Sequence, residues 1–119
     1  MRDFRKLEIW DLGMDIVSET YSKIKNLPDV EKFNLRTQIG RCATSIPSNI
    51  AEGCSRSSNK ELNRYLEISL GSSFELETQL LICIKLRYIE NENISSLLTK
   101  VNLFQKKCNA FRNKILSDY

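Results

Sequence analysis

From Leu7 onward, apolar residues return at alternating steps of three and four along nearly the whole chain, the spacing of one face of an α-helix. Leu7, Trp10, Met14, Val17, Tyr21 and Ile24 form the first such stripe and predict a helix over residues 7–27. Pro28 ends it, because proline offers no backbone N–H and pushes the residue before it out of helical geometry. A second stripe, Leu35, Ile39, Cys42, Ala43, Ile46 and Ile50, predicts a helix over residues 31–54. The tetrad Ser58-Asn59-Lys60-Glu61 has the form of a capping box, in which hydroxyl and carboxylate satisfy the first backbone donors of a helix. It opens a third helix over residues 59–87, striped by Leu62, Leu66, Ser69, Ser73, Leu76, Leu80 and Cys83. The two serines at core spacing predict an unusually close neighbour at mid-length. Ile94, Leu97, Val101, Phe104, Cys108, Phe111 and Ile115 mark a fourth helix over residues 92–117.

Helices of roughly 20 to 28 residues are about 30–40 Å long at 1.5 Å per residue. With connections of only a few residues, consecutive helices must run antiparallel. The predicted fold is an all-α, up-down-up-down four-helix bundle in a single domain over residues 1–119. The first few residues and the stretch from Ser117 to Tyr119 are the expected loose ends. Further apolar positions fall outside the main seams: Ile9 and Ile16 on the first helix, Tyr65, Ile68, Leu81 and Ile84 on the third, Leu98 and Leu116 on the fourth. They either widen the core or form a subunit interface.

Composition agrees with a bundle and narrows the chemistry. The chain has 119 residues, 41% hydrophobic and 28% charged, with 4 Gly and 2 Pro. The longest apolar stretch, around residues 80–84, is far below the roughly 20 residues that cross a bilayer. The first residues lack the apolar core of a secretory signal, so a cytoplasmic location is expected. Histidine is absent and the four cysteines, Cys42, Cys54, Cys83 and Cys108, contain no C-x-x-C pair, which removes most zinc sites. Cys42, Cys83 and Cys108 fall on apolar stripes and read as small buried hydrophobes. Cys54, beside a turn, is the one to test for reactivity.

The polar run Ser-Ile-Pro-Ser-Asn-Ile-Ala-Glu-Gly over residues 45–53 stands out inside the second helix. Pro47 removes one backbone hydrogen bond and is expected to kink the helix. The carbonyl it frees, near Ala43, needs a donor from Ser45, Ser48 or Asn49. Asn49 and Glu52 share a face, as do Glu75 and Gln79 on the third helix. The structural expectation is an interhelical polar network of Asn49, Glu52, Glu75 and Gln79 that fixes register.

That run, with Gln38 and Arg41 before it, Arg56 after it, and Gly-Ser-Ser-Phe-Glu-Leu-Glu-Thr-Gln-Leu over residues 71–80, resembles the bacterial four-helix-bundle family linked to intervening sequences in 23S ribosomal RNA genes. Trp10, Pro28, Glu31, Phe33 and Leu35 match as well, so the resemblance covers most of the chain. Gly40 departs from it, where a stronger helix former is expected. The resemblance implies a small bundle that assembles as a homopentamer. It also implies kinship with the accessory protein of diversity-generating retroelements, which works beside a reverse transcriptase on nucleic acid.

Three classes of function follow. Basic residues exceed acidic ones by 18 to 15, a mild excess, unevenly spread. From Asn93 onward Lys100, Lys106, Lys107, Arg112 and Lys114 stand against Asp118 alone and give the fourth helix a basic outer face, and Arg56, Lys60 and Arg64, with Arg36 and Arg41 near in sequence, surround the turn between helices two and three. Arg41, Arg56, Lys60, Arg64, Lys100, Lys106, Lys107, Arg112 and Lys114 are therefore the candidate contacts to an RNA or DNA backbone, electrostatic and weakly selective. The alternative is a scaffold subunit whose partners are proteins, with no nucleic-acid affinity. An enzyme is disfavoured: histidine, phosphate loops and nucleophile elbows are missing, no cofactor motif is present, and only a carboxylate cluster of Glu52, Glu75 and Glu77 would offer a metal site.

Overall fold

The computed structural model describes residues 1–117 and contains α1 (Glu8–Ile24), α2 (Leu35–Cys54), α3 (Asn59–Lys85) and α4 (Asn91–Ser117). Short 3₁₀ turns, Phe4–Lys6 and Asp29–Glu31, precede α1 and α2. Asp118 and Tyr119, counted above among the loose ends, lie outside the described residues. Contacts join α1 to α2, α2 to α3, α3 to α4 and α4 back to α1, so the helices stand at the corners of a square around one core. Each neighbouring pair is antiparallel. Gly13 of α1 faces Ile46 and Pro47 of α2 while Tyr21 faces Gly40. Cys42 meets Glu75 while Ile46 meets Ser69 on α3. Asn59 at the start of α3 reaches the carbonyl of Ile115 near the end of α4. Lys107 and Lys100 of α4 pair with Glu8 and Glu19 of α1.

The stripes of α2, α3 and α4 supply the core almost as read, with Ile39, Ile46, Ile50, Leu66, Leu76, Leu80, Ile94, Leu97, Val101 and Phe104 fully buried. Phe111 is half-buried. The first helix differs. Its buried face is Ile9, Gly13, Ile16, Thr20 and Ile24, whereas Met14 and Tyr21 are 45% and 50% exposed. The cause is a close crossing of α1 over the proline segment. A Cβ at Gly13 would lie 3.3 Å from Ile46 Cγ2 and 3.4 Å from Pro47 Cβ, so a small residue sets the seam there, rotated from the line of large apolar side chains.

Boundaries also shift. The first helix stops at Ile24 rather than residue 27, and α2 begins at Leu35 rather than near Glu31 because Asp29–Glu31 winds into a 3₁₀ turn and Asn34 leaves helical geometry at φ −127°, ψ −100°. The capping hydroxyl of Ser58 accepts from the N–H of Glu61 at 3.2 Å. The third helix ends at Lys85, closed by Arg87 at φ 63°. The amino terminus is tied rather than loose: Asp3 caps the first turn through the N–H of Arg5, and the N–H of Arg2 donates to the carbonyl of Cys54 at 2.9 Å.

Pro47 is buried and α2 remains helical through it. The donors that serve this segment come partly from α3. Ser69 Oγ donates to the carbonyl of Ile46 at 2.8 Å, Asn49 Nδ2 donates to the carbonyl of Ser45 at 2.9 Å, and the hydroxyls of Ser45 and Ser72 lie 2.8 Å apart. Among the described residues no side chain donates to the carbonyl of Ala43, so the bonds fall one turn closer to the proline than expected. Ser69 and Ser73 are fully buried, which lets α3 approach α2 closely.

Candidate functional site

The polar residues of α2 and α3 form separate small groups rather than one network. Asn49 is held by Ser45. Glu52 pairs with Arg56 at 3.6 Å, and Arg56 also donates to the hydroxyl of Tyr65 while its guanidinium lies 4.9 Å from that ring. Glu75 accepts from Cys42 Sγ at 3.0 Å, and Gln79 is buried with its Oε1 unpartnered among the described residues. Glu77 accepts from Gln105 at 2.9 Å. Among the described residues no group of three or more His, Cys, Asp or Glu stands where it could hold a metal ion.

All four thiols are buried. Burial pushes Cys42 up to about 12, with its hydrogen bond to Glu75 acting in the same direction. Burial alone pushes Cys108 up to about 12 against the pull of Arg112. Cys54, expected beside an open turn, is only 2% exposed, and burial raises it despite Arg2 and the terminal amine nearby. Thiolate chemistry is thus suppressed at every cysteine.

The candidate basic residues divide sharply. On α4, Lys100 pairs with Glu19 at 3.7 Å, Lys107 with Glu8 at 2.7 Å and Arg112 with Glu67 at 3.7 Å, Arg112 also being fixed by Asn63 and Asn109. Arg56 is spoken for by Glu52. Arg41, Lys60, Arg64, Lys106 and Lys114 have no ion pair among the described residues and are exposed. The paired cations neutralise acids on neighbouring helices, so α4 presents much less positive field than its sequence implies.

A cluster of cations lies elsewhere. An open groove of about 450 Å³ between the end of α1 and the start of α2 is lined by Lys25, Lys32, Arg36 and Arg41, with Tyr21 and Phe33 among them and no carboxylate among the described residues. The turn that carries Lys32 and Phe33 is pinned on several sides. Tyr88, in the turn between α3 and α4, donates to Glu31 Oε2 at 2.9 Å, Asn34 Nδ2 donates to Glu31 Oε1 at 3.1 Å, and Thr37 Oγ1 donates to the carbonyl of Lys32 at 2.8 Å. Both oxygens of Glu31 are thereby engaged. The hydrogen bond to Glu31 raises the phenol of Tyr88. Gly40 belongs to the same architecture: a Cβ there would lie 3.0 Å from the hydroxyl of Tyr21, so glycine makes room for the ring on the groove wall. Of the nine basic candidates read from the sequence only Arg41 lines this groove. The others that line it are Lys25 just past α1, Lys32 in the turn before α2, and Arg36 in the first turn of α2.

The family profile described as 23S rRNA-intervening sequence protein matches residues 5–110. Among solved structures, the chain is similar to a protein of unknown function from the S23 ribosomal protein family of Bacteroides thetaiotaomicron, with TM-score 0.80 and 26% identity over 87% of this chain and 97% of that one. No curated protein matches the sequence.

Proposed function

The chain belongs to the 23S rRNA-intervening sequence protein family, and from that premise we propose that it is a non-enzymatic, oligomeric accessory protein that binds the backbone of RNA or DNA electrostatically. The observation that carries the reading is the groove of Lys25, Lys32, Arg36 and Arg41, four cations converging on one surface with no carboxylate among the described residues that line it. Like charges are held together there without internal partners, an arrangement that costs stability in the isolated chain and is relieved by an anion. Lys60, Arg64, Lys106 and Lys114 are exposed as well, but they lie toward the other end of the bundle, where α3 begins and α4 ends, and do not add to this groove. The chain works in the cytoplasm, where four unpaired thiols stay reduced, and none of its helices is long and apolar enough to cross a membrane.

Titration of labelled RNA and DNA at increasing salt tests this. Neutralising about four phosphates of a single strand gives a slope of log affinity against log salt near −3. A measurable affinity with no salt dependence, or none at low salt, defeats the reading.

A second reading rests on α3, where Ile68, Phe74, Leu81 and Ile82 are 45%, 54%, 49% and 39% exposed. Apolar side chains gathered on the outside of one helix suit contact with further copies, as in a homopentamer, or with a protein partner such as a polymerase. A scaffold of this kind forms a multimer whose mass is unchanged by added RNA, whereas the first reading predicts a mass increment on RNA addition.

A further inference from the structure

Phe33 is the most exposed aromatic side chain among the described residues. It is 88% exposed, in a turn whose backbone and neighbours are fixed by Tyr88, Glu31, Asn34 and Thr37, and the fold gains almost no burial from its ring. Its own neighbour Lys32 lies 5.4 Å from the ring centroid, and Tyr21, 50% exposed, stands on the same groove. A rigid turn that presents an aromatic face beside four cations meets the two requirements for holding an unpaired strand: a positive track for phosphates and a π surface for a base.

Resting on the backbone-binding reading above, we propose that this groove is a single-strand site, in which Lys25, Lys32, Arg36 and Arg41 take successive phosphates and an unpaired base stacks on Phe33, with Tyr21 as the second aromatic wall. A free mononucleotide is a poor fit, because small ligands are held in pockets that bury most of their surface, and this groove is open along its length. A duplex is also a poor fit, since its bases are already stacked on one another and offer the ring no face.

The test uses the full chain with labelled oligouridine RNA and oligothymidine DNA of about 10 nucleotides, beside a duplex of equal length, at low salt. Single strands of either sugar are expected to bind more tightly than the duplex. Phe33→Ala is expected to weaken single-strand binding about tenfold, leave duplex binding and the urea midpoint unchanged, and leave the salt slope unchanged because no charge is removed; Phe33→Trp restores the affinity. Wild-type single-strand affinity in Phe33→Ala, or an equal loss for the duplex, overturns the stacking site while leaving electrostatic binding intact. Failure of both single strands and duplex to bind overturns the electrostatic reading as well.

Discussion

Two glycine-to-alanine substitutions of identical chemistry are expected to move stability in opposite directions. Gly71 lies in the interior of α3 on its outer face, and an added Cβ there meets nothing within 4 Å. Ala orders the unfolded chain and favours the helix, so Gly71→Ala is worth up to about 1 kcal/mol of added stability. Gly53 lies near the end of α2, where α3 folds back against it. A Cβ at that position would sit 2.7 Å from Tyr65 Cβ and 2.9 Å from Leu62 Cδ1. Ordinary carbon contacts are about 3.5–4.0 Å, and although the tip of Leu62 can swing aside, Tyr65 Cβ is attached directly to the α3 backbone. Relief therefore needs the α2–α3 corner to open, an overpacking cost of about 1–3 kcal/mol set against the same helix-propensity gain of about 1. The net expectation is a loss of up to about 2 kcal/mol. In urea unfolding at fixed protein concentration, with a slope of about 2 kcal/mol per molar, Gly53→Ala lowers the midpoint by up to roughly 1 M while Gly71→Ala raises it. A Gly53→Ala midpoint equal to or above that of Gly71→Ala would refute the packing described for this corner.

Arg87 closes α3 at φ 63°, a left-handed conformation that costs a residue bearing a Cβ about 1 kcal/mol or more; Arg87→Gly is expected to raise the urea midpoint, and a lower midpoint would contradict that geometry. The buried thiols give a pH dependence of known sign. Cys42 and Cys108 are pushed from 9.0 up to about 12, so the folded chain keeps these protons after the unfolded chain has lost them, and their contribution to stability is constant below about pH 9 and falls between about pH 9 and 12. Cys42→Ala/Cys108→Ala should flatten that fall. In native protein at neutral pH all four thiols should resist alkylation, with rapid labelling of Cys54 the result that would reject its burial.

Most of the bundle was legible because the cores of α2, α3 and α4 are made of large apolar residues at helical spacing, which is the signal that periodicity detects. The seam of α1 was not, since Gly13 and Thr20 carry no hydrophobic signal, while Met14 and Tyr21 do and yet face outward. Close approach to Pro47 selects the small residue, and no local pattern announces which helix will come near. The start of α2 was obscured for a related reason: the residues after Pro28 have enough helical character to extend the pattern, but a 3₁₀ turn satisfies them first.

Charge was legible only as composition. The basic residues of α4 formed a visible run, yet their acidic partners lie on other elements, Glu8 being 99 residues from Lys107. The groove had the opposite problem. Lys25, Lys32, Arg36 and Arg41 are interrupted in sequence by Asp29 and Glu31, and only the fold shows that neither acid lines the groove, Glu31 being hydrogen-bonded to Tyr88 and Asn34. The glycine at position 40, where a stronger helix former is expected, acquires its reason from the ring of Tyr21 packed against it.

The location of the binding surface is tested most directly by comparing two charge-removal variants for RNA affinity at one low salt concentration. One replaces the four groove cations, Lys25, Lys32, Arg36 and Arg41, with Gln; the other replaces Lys100 and Lys107, which α1 already neutralises. The groove variant is expected to lose RNA binding at that salt concentration, and the α4 variant to bind as wild type. Retained affinity in the groove variant together with loss in the α4 variant would contradict the assignment.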